Sequence, residues 1–265
     1  MSNHPLLFFL HIPKTAGTSV NTVAKIEYVK KQRYPWDNVK WIDKTVKFDV
    51  QDERLGNSIK LVKGHFPVGI HEGIKIPFEY TTFLRDPIKR ANSHFRQLYR
   101  MSNSLLSDEL QEHGFDFVLE KYKNFAFSNL QSRLLAGGLP HEEISPDCLF
   151  EKARNNFDKF FPLFGLMERF DESILMMKDR YHWRYPPYYS VLNSVTEREA
   201  TELDLSSIQS RLKEMNQIDQ LLYDYAKERF DQINYIEENR LKNFRRGLKV
   251  FRVIHKGYLA FRPNA

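Results

Sequence analysis

Two cations stand where an apolar run gives way to a turn and a helix start: Lys14 in Pro13-Lys-Thr-Ala-Gly-Thr-Ser19, and Arg85 in Tyr80-Thr-Thr-Phe-Leu-Arg-Asp-Pro87. Both junctions suit an anion. The first N–H groups of a helix lack internal partners and carry the positive end of its dipole, so backbone geometry holds a phosphate or sulfate there and Lys14 adds a point charge. Arg85 offers a planar fork that matches phosphate in bidentate fashion. A third residue, His65, follows Gly64 at the end of another predicted strand, and its ordinary pKa suits a group that takes a proton near neutral pH. A histidine after glycine is also found as a plain surface residue with one hydrogen bond. The competing histidines are His71 beside Glu72, and His11, which is expected to pack on the loop.

The elements that must position these residues follow from the hydrophobic pattern. Leu6 to Leu10 has the length of a buried parallel strand and leads into a helix predicted over 18–29. A strand over 59–62 ends at Gly64-His65. A third, over 81–84, feeds a helix reaching about Met101, with Asp86 as its cap and Pro87 at the first helical position. Ser93 then lies about two turns into that helix. Helices are predicted at 115–120, 124–135, 149–156 and 170–180, and a late core strand at 161–166. Ile208, Leu212, Met215, Leu222 and Tyr225 recur at helical steps and make the C-terminal part helical. Repeated strand, loop and helix units imply an α/β fold, a single domain with a parallel sheet flanked by helices, right-handed crossovers and a helical C-terminal part. Ligands of such sheets bind beyond the carboxyl ends of the strands, where Lys14, His65 and Arg85 all lie.

The first loop is not a Walker A loop, because Lys14 precedes Gly17 and the leading glycine is missing. It resembles the 5′-phosphosulfate loop of sulfotransferases that use 3′-phosphoadenosine 5′-phosphosulfate (PAPS). The segment Tyr80 to Phe95 is similar to the 3′-phosphate motif of the same enzymes, an arginine at a strand end and a serine eight residues later, here Arg85 and Ser93. Gly64-His65, Asn129 to Gly137, Leu163 to Glu172 and Asn216 to Ala226 resemble successive blocks of the branch containing heparan and uronyl 2-O-sulfotransferases and their bacterial relatives. The resemblance runs from Leu6 to about Phe230. It implies a P-loop-like sulfotransferase domain over 1–235, followed by a basic helical extension over 236–265. It further implies PAPS as donor, released as 3′-phosphoadenosine 5′-phosphate (PAP), with no metal required and a carbohydrate or glycolipid acceptor. Lys14, Thr15, Ala16, Gly17, Thr18, Ser19, Arg85 and Ser93 would bind the cofactor, and His65 with Lys14 would carry the catalysis.

A formal charge of +6 and a pI near 9.2 favour anionic partners, which a bisphosphorylated nucleotide and an acidic glycan both are. Aromatic RNP strands and zinc-ligand spacings are missing from the sequence, so no nucleic-acid partner is expected. Cys148 is the only cysteine and no intrachain disulfide can form. The apolar run at the N-terminus is too short for a secretory or membrane-spanning segment, which makes a cytoplasmic location the expectation. Two other classes stay open. A P-loop kinase or NTPase would need an acidic residue for Mg²⁺, for which Asp86 is the nearest, and a non-catalytic binder of acidic glycans would keep the charge without the base.

Asn129, Gln131 and Arg133 either reach the ligand or fix their helix to the sheet. Tyr188, Tyr189 and Asn193 lie in a Pro-rich segment whose family counterpart closes over the adenosine end of the cofactor; they stack on adenine or pack beneath the loop. This chain has no basic residue between Pro186 and Glu197, unlike relatives that contact the 3′-phosphate from that loop. Val29 to Asn57, with Tyr34, Trp36 and Trp41, reads as an acceptor-facing segment or a local cap. Near the C-terminus, Phe244, Leu248, Phe251 and Ile254 alternate with Arg245, Arg246, Lys249, Arg252 and Lys256. Such a helix suits an anionic membrane, an acidic polymer or a second subunit, and equally a terminal helix packed on its own domain.

Overall fold

Five apolar residues, Leu6–Leu10, form strand β1, buried along its whole length as befits a central strand covered on both faces. It pairs in parallel with β2 (Leu61–Gly64) on one side and with β3 (Phe78–Thr81) on the other. A second parallel pair, β4 (Phe83–Leu84) with β5 (Gly165–Leu166), continues from β3 across Thr82. The computed structural model describes residues 5–27, 49–53, 55–57, 59–100, 105–122, 127–138, 144–189 and 204–261. Tyr34, Trp36, Trp41 and Asn193 lie outside the described residues.

The single strand expected over 81–84 is two short ones, and Thr82 is the reason. Its hydroxyl donates to Leu10 O at 2.7 Å, while its carbonyl accepts from Gly165 N at 2.8 Å, so the chain changes partner from β1 to β5 at this residue. The strand expected over 59–62 lies two residues later, which brings Lys63 into the sheet and leaves His65 immediately after its end. The late strand expected over 161–166 has only its last two residues in the ladder, with Phe161 and Phe164 buried ahead of it.

Helices cover the sheet. In chain order they are α1 (Gly17–Glu27), α2 (Pro87–Arg100), α3 (Leu105–Tyr122, kinked at Gly114), α4 (Leu130–Ala136), α5 (Pro146–Phe160) and α6 (Phe170–Arg180). After them come α7 (Gln209–Met215), α8 (Gln217–Ile233) and α9 (Glu238–Phe261). Of the helix expected over 124–135, residues 124–126 lie outside the described residues, and α4 begins at Leu130 because Asn129 before it sits in the left-handed region with φ 48° and cannot belong to a right-handed turn. The main core gathers the strands with apolar faces of α4, α5, α6, α8 and α9. A second cluster joins Ala91, Phe95 and Leu98 of α2 to Val118 and Leu119 of α3, Phe127, and Ile208 and Leu212 around α7.

Candidate active site

The turn between β1 and α1 is built from side-chain anchors and left-handed backbone. Lys14 and Ala16 have φ of 72° and 68°. Two non-glycine residues in that region within three positions are costly and persist only where the surroundings impose them. The buried Thr15 helps to do so by donating its hydroxyl to Ile12 O at 2.8 Å. At Val20, whose N–H reaches Ala16 O at 3.1 Å, the helical ladder is under way, so the preceding turn presents its N–H groups at the helix end. A left-handed residue followed by a right-handed helix start shapes those groups into an anion-binding concavity. Gly17 has a further reason to be glycine: a Cβ there would lie 1.7 Å from His11 Nε2.

His11 packs on the loop as expected, and also on His65. The two rings stack at 4.3 Å between centroids, and His65 Nδ1 lies 2.6 Å from His11 O. A carbonyl only accepts, so Nδ1 carries the proton and donates it. The lone pair of neutral His65 is thereby placed on Nε2, the tautomer that a proton acceptor needs. Burial lowers the His65 pKa, the His11 carbonyl partly opposes this, and Lys63 lowers it further. His11 is lowered well below the ordinary value by burial, with His65, Lys63 and Lys14 adding to the effect. His71 is engaged elsewhere: its Nδ1 meets Tyr80 Oη at 2.9 Å and its ring packs on Phe78 and Phe160.

Arg85 follows β4 and reaches across to the first loop, donating from Nη1 to Lys14 O at 2.9 Å. Its own backbone is clamped. Gln131 accepts from Arg85 N at 3.0 Å and donates to Arg85 O at 2.8 Å, as a neighbouring strand would. Asp86 caps α2 through Lys89 N at 2.9 Å, with Pro87 at the first position, as the sequence predicts. Two turns in, Ser93 shares a face of α2 with Arg90, His94 and Gln97, while Ala91, Phe95 and Leu98 point into the second core. Burial pushes the His94 pKa down to about 3, helped by Arg90 and Lys14, and lowers Arg90 to about 10 against the opposing pull of Asp219. The charges of Lys14 on the loop and Arg90 on α2 therefore both fall on His94.

The structure thus brings Lys14, Thr15, Ala16, Gly17, Thr18, Ser19, His65 and Arg85 around the carboxyl ends of β1, β2 and β4, with the face of α2 that carries Ser93 beside them. Among the described residues, Arg85 Nε and His94 Nδ1 are buried with no hydrogen-bond partner. A buried donor without a partner is costly, so Arg85 Nε suits a site completed by an anion. Reasoning from the sequence missed Lys63, Arg90 and His94. Lys63 is buried behind the loop with Nζ 3.4 Å from Gly17 O and 5.0 Å from the centroid of the Phe9 ring. The spacing of Arg90, His94 and Gln97 on one helical face was the available signal for the other two.

Asn129 and Gln131 fix their helix rather than point to a ligand. Asn129 Oδ1 accepts from Ile218 N and Asp219 N at the start of α8, each at 3.0 Å. In return Asp219 accepts from Gln131 N at 3.1 Å and from Ser132 N and Oγ, both at 2.7 Å, at the start of α4. Arg133 donates to Ser128 O at 3.3 Å within the same junction. Tyr188 packs beneath α9, stacking on Phe244 at 5.5 Å, and Tyr189 packs on Phe170 at 4.5 Å with its hydroxyl donated to Asp171. Adenine stacking by these two tyrosines has no support in this arrangement.

Heparan-sulfate 6-O-sulfotransferase 1-B of Danio rerio is 28% identical to this chain over 184 residues, an alignment that covers 58% of the chain and 44% of that protein. The chain is similar to a carbohydrate sulfotransferase. It spans less than half the length of the curated relative it matches. No family model matches the chain.

Proposed function

We propose that the protein is a PAPS-dependent sulfotransferase acting on a hydroxyl of a carbohydrate-type acceptor. The observation that carries this is the Arg85–Lys14 contact, which ties two strand-end anion sites together as a ligand with two separate phosphoryl groups requires. Similarity to a carbohydrate sulfotransferase supports the acceptor class. The motif resemblance points to 2-O-sulfation and the relative's name to 6-O-sulfation, so a sugar hydroxyl is proposed without a ring position.

When bound, PAPS supplies a sulfuryl group on a phosphate that is already a good leaving group. The chain's own residues supply the rest. The loop 14–19 cradles the 5′ end through backbone N–H groups and the Lys14 ammonium, which offsets charge developing on the leaving oxygen. Arg85 and Ser93 grip the 3′-phosphate. His65 Nε2 takes the proton of the acceptor hydroxyl, and His11 O holds the ring and its tautomer. A kinase is less well served, because Asp86, next to Arg85 in the chain, is engaged in capping α2, and Glu168, which faces Arg85, accepts from Asp86 N and from the Tyr223 hydroxyl.

Thermal melting with nucleotides tests the assignment. PAP should stabilise the fold by about 2.7 kcal/mol at 100 times Kd, well above ADP or AMP. Stabilisation of that size by ATP with Mg²⁺ and none by PAP would turn the site into that of a kinase.

A further inference from the structure

The chain's positive charge is concentrated in one element. Of its 40 Lys and Arg, eight lie in 239–265, where none of the 34 Asp and Glu is found; the first 238 residues hold 32 basic and 34 acidic side chains. Seven of those eight ride on α9. The inner face of this helix is fixed to the body through buried Phe244 and Leu248 and half-buried Phe251, with Tyr188 so close that a Cβ on Gly247 would lie 2.0 Å from its hydroxyl oxygen. Arg240 pairs with Asp179, Arg245 with Asp171, and Arg252 donates to Tyr189 O, so these three cations serve the attachment.

The outer face has a different character. Val250, Val253 and Ile254 are 60%, 74% and 67% exposed, above any other large apolar side chain among the described residues. At about 100° per residue they share an arc of about 100° on the helix. Exposed Arg246 falls within that arc and exposed Lys249 borders it.

We propose that this outer face of α9 lies on an anionic lipid surface. A soluble acidic polymer would satisfy the cations but leave the three aliphatic side chains in water. A bilayer interface accepts both: the aliphatic groups enter the boundary region while Arg246 and Lys249 stay among the headgroups. Each basic side chain near such a surface strengthens binding by about fivefold. No helix among the described residues is long and apolar enough to cross a membrane, so the contact is one of lying on the surface. It stands independently of the transferase assignment.

Co-sedimentation with vesicles tests it, using phosphatidylcholine alone and phosphatidylcholine with about one-third phosphatidylserine. The wild type should bind the anionic vesicles at least tenfold better than the neutral ones and lose most of that binding at about 0.5 M salt. The triple variant Val250→Ser/Val253→Ser/Ile254→Ser and the double variant Arg246→Glu/Lys249→Glu should each lose it at least tenfold while melting as the wild type does. Equal binding to both vesicle types, or full binding by the triple variant, overturns the proposal. So does a wild-type dimer in sedimentation velocity that the triple variant converts to monomer with no vesicle binding, since the apolar face would then be covered by a second copy.

Discussion

Arg85 donates a hydrogen bond from its guanidinium to the backbone carbonyl of Lys14, 71 residues earlier in the chain. The side chain assigned to one phosphate therefore also holds the backbone of the loop assigned to the other. Removing it should damage both grips. Arg85→Ala is expected to weaken PAP by about 10- to 100-fold, the equivalent of a lost charged hydrogen bond of about 1.5–3 kcal/mol, and to lower the melting temperature. Lys14→Ala keeps the carbonyl that Arg85 uses, so turnover should fall more than PAP affinity. Calorimetric titration and single-turnover rates on both variants check this, and unchanged PAP affinity in Arg85→Ala would refute the assignment.

His65→Ala should keep PAP binding and lose transfer by ~10²–10⁴-fold. The pH dependence has a definite sign. Only the neutral ring accepts a proton, and burial lowers the His65 pKa. In the wild type kcat/KM should rise with pH along a limb centred below the ordinary value of about 6.5 and then level off. A limb that survives unchanged in His65→Ala belongs to another group.

Acid should destabilise the protein through the histidines of the site. His11, His65 and His94 all have lowered pKa values in the folded state, His94 to about 3. Below about pH 6.5 the unfolded chain takes up protons that the folded chain resists, so stability is present above that pH and falls as pH drops through it. Replacing His94 by Phe removes one such group. Denaturant melts between about pH 6.5 and pH 4 should then show a slope shallower by close to one proton. An unchanged slope would show that the ring is not held neutral.

Asp219 is fully buried, caps the start of α4 through Gln131 N and Ser132 N, and faces the charge of Arg90. Asp219→Asn removes the charge opposite a buried guanidinium, and a loss of about 3–5 kcal/mol is expected from urea unfolding. Adding Arg90→Met to the same protein should recover part of it. A loss below about 1 kcal/mol would mean that Asp219 contributes no more than an ordinary cap.

The parts of this arrangement that were legible in the sequence are local ones. Asp86-Pro87 announces the start of α2 through a capping side chain and a fixed φ, and the five-residue apolar run announces β1. Both follow from chemistry within a few residues. The strand break at Thr82 was not legible, because it depends on Leu10 and Gly165, which only the folded sheet brings near. Burial of Lys63 escaped for the same reason: its alternation with apolar neighbours fits a solvated strand face, and the sheet's second layer decides otherwise. The roles of Asn129 and Gln131 needed α8 and the end of β4 to be placed first. Motif order singles out Lys14, Arg85 and His65 as candidates, yet it does not point to the His11 carbonyl that sets the His65 tautomer, since a backbone acceptor leaves no mark on residue type.

The exchange of caps between Asn129 and Asp219 also bears on synthesis. Gln131 clamps Arg85, but the helix that carries Gln131 has its first N–H groups satisfied by Asp219. A ribosome that has made the strand ends and the loop 14–19 must still add more than a hundred residues before that carboxylate exists, a delay on the order of ten seconds. During that interval the loop can exist without its brace. Nascent chains stalled ahead of α8 should accordingly remain open to protease at 127–138 whether or not PAP is present, and those stalled well beyond it should close.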